Sequence, residues 1–183
     1  MASGRKTTAT IVGLILGCCW GAVMKIRDAM LVAAILVAMA SVARAGAFEA
    51  AIAAHNKGEY ATALVFLRPL AEKGDARAQF ALGFMYQEGR GVAINNREAM
   101  NWYQKGASQG HVDAMFNLGV LYRYGVQHGQ NVQDYVRAYM WFSLRATKGH
   151  SVAETHRDEV ARFMTPTQIA EAQKLALEWM AKR

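Results

Sequence analysis

Cysteine is nearly absent from this chain. The two present, Cys18 and Cys19, are adjacent, and none follows residue 45. That excludes a disulfide framework or a cysteine-ligated metal in the body of the protein. Histidine patterns that hold metals are missing too. His55, His111, His128, His150 and His156 form no HExxH or comparable spacing, and His150 and His156, six apart, do not share a helix face. Ser108, Ser143 and Ser151 stand in no G-x-S-x-G context. Glu88, Glu98, Asp113 and Asp134 are the candidate catalytic carboxylates, but Asp134 reads as a helix cap and the two glutamates as solvated helix ends. No catalytic residue, cofactor-binding residue or metal ligand is therefore expected. The net charge is +7, yet it makes no basic stripe. Arg5, Lys6, Lys25, Arg27 and Arg44, against Asp28 alone, place more than half of it in the first 45 residues. Beyond them both signs are interspersed, so no nucleic-acid footprint is read.

What is present begins with two apolar segments. Residues 24–45, "MKIRDAMLVAAILVAMASVARA", have a basic start, an uncharged run from Ala29 to Ala43 and the small residues Ala43 and Ala45 around Arg44. This is the layout of a secretory signal peptide. The run is 15 residues, short of the about 20 that a membrane span needs. Residues 1–23 then read as an upstream extension ahead of a true start at Met24, with a mature chain from Gly46. The expected location is periplasmic or secreted, after cleavage following Ala45. The alternative is an anchor at the inner membrane. The uncharged run Thr7–Met24 could pair with the second segment as a hairpin, and Ile15-Leu16-Gly17-Cys18 resembles a lipobox with an unusual Leu16.

The rest of the chain, 46–183, repeats itself. Gly74, Ala78, Leu82, Gly83, Tyr86 and Gly89 recur 36 residues later as Gly110, Ala114, Leu118, Gly119, Tyr122 and Gly125. Past Gly125 the offset becomes 39, and Ala99 and Trp102 meet Ala138 and Trp141. Three residues are thus inserted in the loop "GVQHGQNV". A fixed period of this size marks a solenoid. Each unit reads as two helices. One runs from Asp75 to Glu88, with apolar or small residues at 78, 82, 85 and 86, and ends at Gly89. The next is capped by Asn95 and carries 99, 102, 103 and 107. The repeats are 74–110 and 111–149, with partial units 58–73, supplying only a second helix, and 150–183. Thr165-Pro166-Thr167-Gln168 opens a last, capping helix whose apolar face is Ile169, Ala172, Leu175 (or Ala176) and Trp179. The expected fold class is all-α, an α-α superhelix of about two full and two partial helix pairs.

The doubled phrase, G-(D/H)-x-x-A-x-F-x-L-G-x-x-Y-x-x-G and then N/D-x-x-x-A-x-x-W-(Y/F), resembles the Sel-one-like repeat (SLR) family, a relative of the tetratricopeptide-like solenoids. The resemblance covers about two-thirds of the chain. It implies a non-enzymatic scaffold that binds a protein or peptide through the concave surface of its first helices. Partner-reading positions are then those that break the repeat symmetry there: Ala81 becomes Asn117, Phe84 becomes Val120, and Gln87-Glu88 becomes Arg123-Tyr124. The candidate set is Ala81, Phe84, Gln87, Asn117, Arg123 and Tyr124, with no cofactor and no nucleic acid. A membrane-anchored regulatory adaptor is the alternative. A hydrolase of β-lactam-binding type ranks third, because the relatives linked to that are cysteine-rich.

Overall fold

Helix is the sole regular structure among the residues that the computed structural model describes, 46–127 and 133–182. The expectations for 1–23 and 24–45 lie outside them. Residues 46–56 form α1. Then come α2 (Tyr60–Glu72), α3 (Ala76–Glu88), α4 (Asn96–Ser108), α5 (Val112–Gln127), α6 (Gln133–Ala146), α7 (Ser151–Ala161) and α8 (Pro166–Ala181). From α2 to α7 each helix packs on the next, so that helix pairs stack into an α-α superhelix.

The punctuation follows from the residues. The Asp75 carboxylate accepts from the backbone N–H of Arg77 at 3.0 Å and of Ala78 at 3.3 Å, capping α3. Burial opposes its charge, but the Arg77 guanidinium and the two amides outweigh that and hold its pKa below the usual value. Asn95 caps α4 by accepting from Glu98 N–H at 3.1 Å. The recurring glycine lies between one pair and the next, with φ of 91°, 91° and 78° at Gly74, Gly110 and Gly149. Only glycine visits that region freely, so the turn demands it. Thr165 and Gln168 close the expected capping box. Gln168 N–H donates to Thr165 Oγ1 at 3.3 Å, and Thr165 N–H donates to Gln168 Oε1 at 2.8 Å.

Small residues set the packing. Ala78, Ala99, Ala114 and Ala138 are fully buried, as is Leu118, with Leu82 at 1 % exposure. Gly83 lies against the Tyr103 ring, and Gly119 lies against Phe142 in the same way. The core is local, as a solenoid's must be. One cluster joins α1, α2 and α3 around Ala63, Leu67 and Leu82. A second centres on Tyr103, Leu118 and Trp141. A third joins Phe142 and Val136 to Ala153, Val160 and Ala172 of the last pair.

Three details differ from the sequence reading, and a fourth, the seat of the last helix, completes it. The unit at 58–73 is not a lone second helix: α1 precedes it and buries Ala51 and Ala54 in the first cluster. The three inserted residues do not all enlarge a loop. By the 36-residue offset α5 would end at Tyr124, like α3 at Glu88, but it continues to Gln127. Gly125 therefore sits inside a helix, where its counterpart Gly89 ends one at φ 70°. Asp134, expected as a cap, lies within the first turn of α6 and pairs with Arg137 at 3.2 Å. The last helix, α8, packs along α6 and covers Trp141, with Trp179 against it at 5.9 Å between ring centroids.

Candidate protein-binding surface

The first helices of successive units, α1, α3, α5 and α7, are tied to one another by polar and aromatic side chains. Between α1 and α3, Arg90 Nη1 lies 3.0 Å from His55 Nε2. The Arg90 guanidinium sits over the rings of Phe84, at 5.0 Å, and Tyr60, at 5.9 Å, a cation–π arrangement. Between α3 and α5 the link is Tyr103 of α4. Its hydroxyl donates to Gln87 Oε1 at 2.8 Å and accepts from Asn117 Nδ2 at 3.0 Å. The Tyr103 side chain is wholly buried. Burial pushes its hydroxyl pKa far above the ordinary value, so it stays a donor. Between α5 and α7, Arg123 Nη1 donates to Glu159 Oε2 at 2.7 Å and lies 2.7 Å from His156 Nδ1. The hydrogen bond from His156 leads in holding the Glu159 carboxyl below its usual range, against some desolvation, and Arg123 adds its charge. The His156 ring stacks on Phe142 at 5.4 Å.

The six candidate residues thus have definite places. Gln87 and Asn117 are brought together by one hydroxyl. Phe84 lies under Arg90, and Arg123 bridges to α7. Ala81 is half-buried against the first core cluster. Tyr124, beside Arg123, is 47 % exposed. Sequence reasoning missed His55, Arg90, His156 and Glu159. A signal for them existed: His55 and Arg90 are 35 residues apart, and Arg123 and His156 are 33 apart. Both separations are close to one repeat, which is where partners on neighbouring first helices, or in the turn just after one as Arg90 is, must fall.

Two other histidines cap helices. His111 Nδ1 accepts from Ala114 N–H at 3.3 Å, and His150 Nδ1 accepts from Ala153 N–H at 3.1 Å. They occupy the position of Asp75. Burial lowers the His111 pKa, against the pull of Asp113 and Asp75, and so favours the neutral ring that can accept. Among the described residues no three metal-ligating side chains cluster, and no helix is long and apolar enough to cross a membrane.

Known proteins share the repeat and the fold. The family model of the Sel1 repeat matches residues 76–111 and 112–150. The solved structure of a protective antigen from uropathogenic Escherichia coli, displaying an SLR fold, superposes with a TM-score of 0.69 over 76% of this chain and 30% of that one, at 26% identity. An exopolysaccharide production negative regulator of Rhizobium meliloti is 30% identical over 118 residues, 58% of this chain and 44% of the relative. Chitin synthase regulatory factor 3 of Schizosaccharomyces pombe is 48% identical over 56 residues, 31% of this chain and 6% of the relative. The chain spans less than half the length of each of these proteins.

Proposed function

We propose that this chain, which carries two Sel1 repeats in an SLR fold, is a scaffold for protein–protein interaction that binds a protein or peptide along α1, α3, α5 and α7 without chemistry of its own. The observation that carries this reading is the row of cross-helix ties. They fix neighbouring first helices against one another and so present a pre-organised surface, which lowers the ordering cost of binding. Tyr124 stands out of that surface. Tyrosine is among the residues that carry binding energy out of proportion to their number. The names of two relatives, both regulators, favour a scaffold whose binding controls its partner. The test begins by capturing the partner from an envelope fraction and purifying it. Tyr124→Ala should then weaken its binding about tenfold or more, while the melting temperature stays within about 2 °C of wild type, as exposed positions allow. Equal affinity for both proteins, or no saturable partner at all, would count against this surface.

Export is the second part of the proposal, and the sequence of residues 24–45 supports it. N-terminal sequencing of the natural protein should return Gly46 as the first residue. A chain that retains Cys18 would point to the anchored regulatory adaptor instead.

A further inference from the structure

The outer helices α2, α4 and α6 present the same repeat positions in three different states. Take the four positions 61, 65, 66 and 69 of α2. Their equivalents are 97, 101, 102 and 105 in α4, and 136, 140, 141 and 144 in α6. In α6 they are Val136, Met140, Trp141 and Leu144, all apolar and between 0 and 9 % exposed. Helix α8 packs along α6 here, with Ala176, Leu175 and Trp179 against Trp141 and its neighbours. In α4 the same positions are Arg97, Asn101, Trp102 and Lys105. This face is polar, and its one large apolar ring is covered by its own Lys105 ammonium, 3.9 Å from the ring centroid.

In α2 they are Ala61, Val65, Phe66 and Pro69. The face is apolar, as in α6, yet no helix among the described residues lies on it: Val65 is 70 % exposed and Phe66 36 %. Together they form a stripe at i, i+4, i+5 and i+8 along one side of the helix. Pro69 sits inside α2 and has no N–H to give the Val65 carbonyl. The stripe therefore also carries an acceptor without its helical donor.

The chain itself shows what covers such a face. In α6, where these positions are apolar, α8 lies on them, and it offers the small residues Ala172 and Ala176 one turn apart, with Leu175 and Trp179 beside them. We propose that the exposed stripe of α2 is a second docking site, for an amphipathic helix of a partner protein with that same small-and-large pattern. A second copy of this chain is a poorer occupant. Two large side chains on a 13-residue helix fall well short of the about 800 Å² per partner in a standard dimer interface. They suit the few anchors at i, i+3, i+4 and i+7 of a helix docked on a partner. This site is separate from the surface of the first helices, so either can fail alone.

The probe is a labelled synthetic peptide of residues 165–182, titrated into the full chain by fluorescence anisotropy. The variant is Val65→Asn with Pro69→Lys, which places on α2 the residues that α4 carries. Both positions are exposed, so the fold should be kept, and thermal unfolding checks this. Saturable binding to wild type that weakens about tenfold in the variant supports the proposal. No binding, or equal binding to both, overturns it. A peptide that instead displaces the chain's own α8 from α6 would bind both proteins alike and falls in that second outcome. Two further measurements decide the occupant. A concentration-dependent dimer in sedimentation, lost in the variant, would assign the stripe to a second copy. Binding to phosphatidylcholine–phosphatidylglycerol vesicles, lost in the variant without peptide binding, would assign it to a membrane surface. Either result overturns the partner helix.

Discussion

Trp141→Ala lowers the unfolding free energy by about 3–5 kcal/mol, the cost of emptying a large aromatic site in a core. Trp102→Ala costs about half of that or less, and Phe66→Ala about 1 kcal/mol. The three residues hold one repeat position, so the helix period alone would give them equal weight. Their surroundings differ. Trp141 is 3 % exposed and lies between the central core and Trp179. Trp102 is half-buried against the first cluster, with Lys105 over its ring. Phe66 is 36 % exposed. Transfer free energy scales with the area removed from water, and the cavity penalty arises only where neighbours cannot relax. Denaturant unfolding of the full chain and the three variants measures the series. Equal losses would mean that α8 contributes no burial at Trp141. A Trp179→Ala variant should bring the Trp141 cost down toward that of Trp102.

This gradation marks the limit of what the sequence could say. The doubled phrase identified the helix pairs, the cap at Asn95, the turn glycines and the small residues at the seams. Each of those is a local requirement: a left-handed φ, an unpaired N–H, a missing side chain. Local requirements leave their mark on residue type at a fixed spacing. Whether a face at positions 65, 66 and 69 is covered is not local. It depends on where α8 lies, and the apolar residues on α2 and α6 look alike until that is seen.

The candidate binding surface was legible in a similar, partial way. Broken symmetry on the first helices pointed to Gln87, Asn117 and Arg123; Asn117 and Arg123 do reach beyond their own unit, while Gln87 meets Tyr103 of its own. Their internal partners were not visible, because Tyr103, Arg90, His156 and Glu159 come from other elements. Asn117 and Gln87 break the repeat at least partly to satisfy one buried hydroxyl. The extended α5 was hidden for a simpler reason. Three extra residues can lengthen a helix or a loop, and Gly125 argued for the loop by analogy with Gly89. Glycine permits a helix end without compelling one.

The seam glycines should show the second large effect. Gly119→Val is expected to destabilise the protein by about 3 kcal/mol or more, at or beyond the upper end for overpacking a core. A β-carbon built at Gly119 would stand 2.8 Å from Phe142 Cε1, 2.9 Å from Cδ1 and 3.1 Å from Cζ. The clash is with a ring and not with the tip of a flexible chain. Phe142 is fully buried and is itself held by Phe116, at 5.7 Å, and His156, at 5.4 Å. It has nowhere to move without separating α5 from α6. Replacing glycine inside a helix normally helps, by about 1 kcal/mol when alanine enters. That gain shrinks for a β-branched residue, and the clash exceeds it. A double-mutant cycle isolates the cause. Phe142→Ala alone should cost about 3–5 kcal/mol. Combined with Gly119→Val, the total should fall short of the sum by about 1–3 kcal/mol, because the valine occupies the space that the ring leaves. Strict additivity would show that the two side chains do not meet. The seam would then have to be held by something other than this contact. The same cycle at Gly83 and Tyr103 should couple as well, since a β-carbon there would lie 2.7 Å from Tyr103 Cδ1. Its double variant should recover less, because removing Tyr103 also strips Gln87 and Asn117 of their shared hydroxyl.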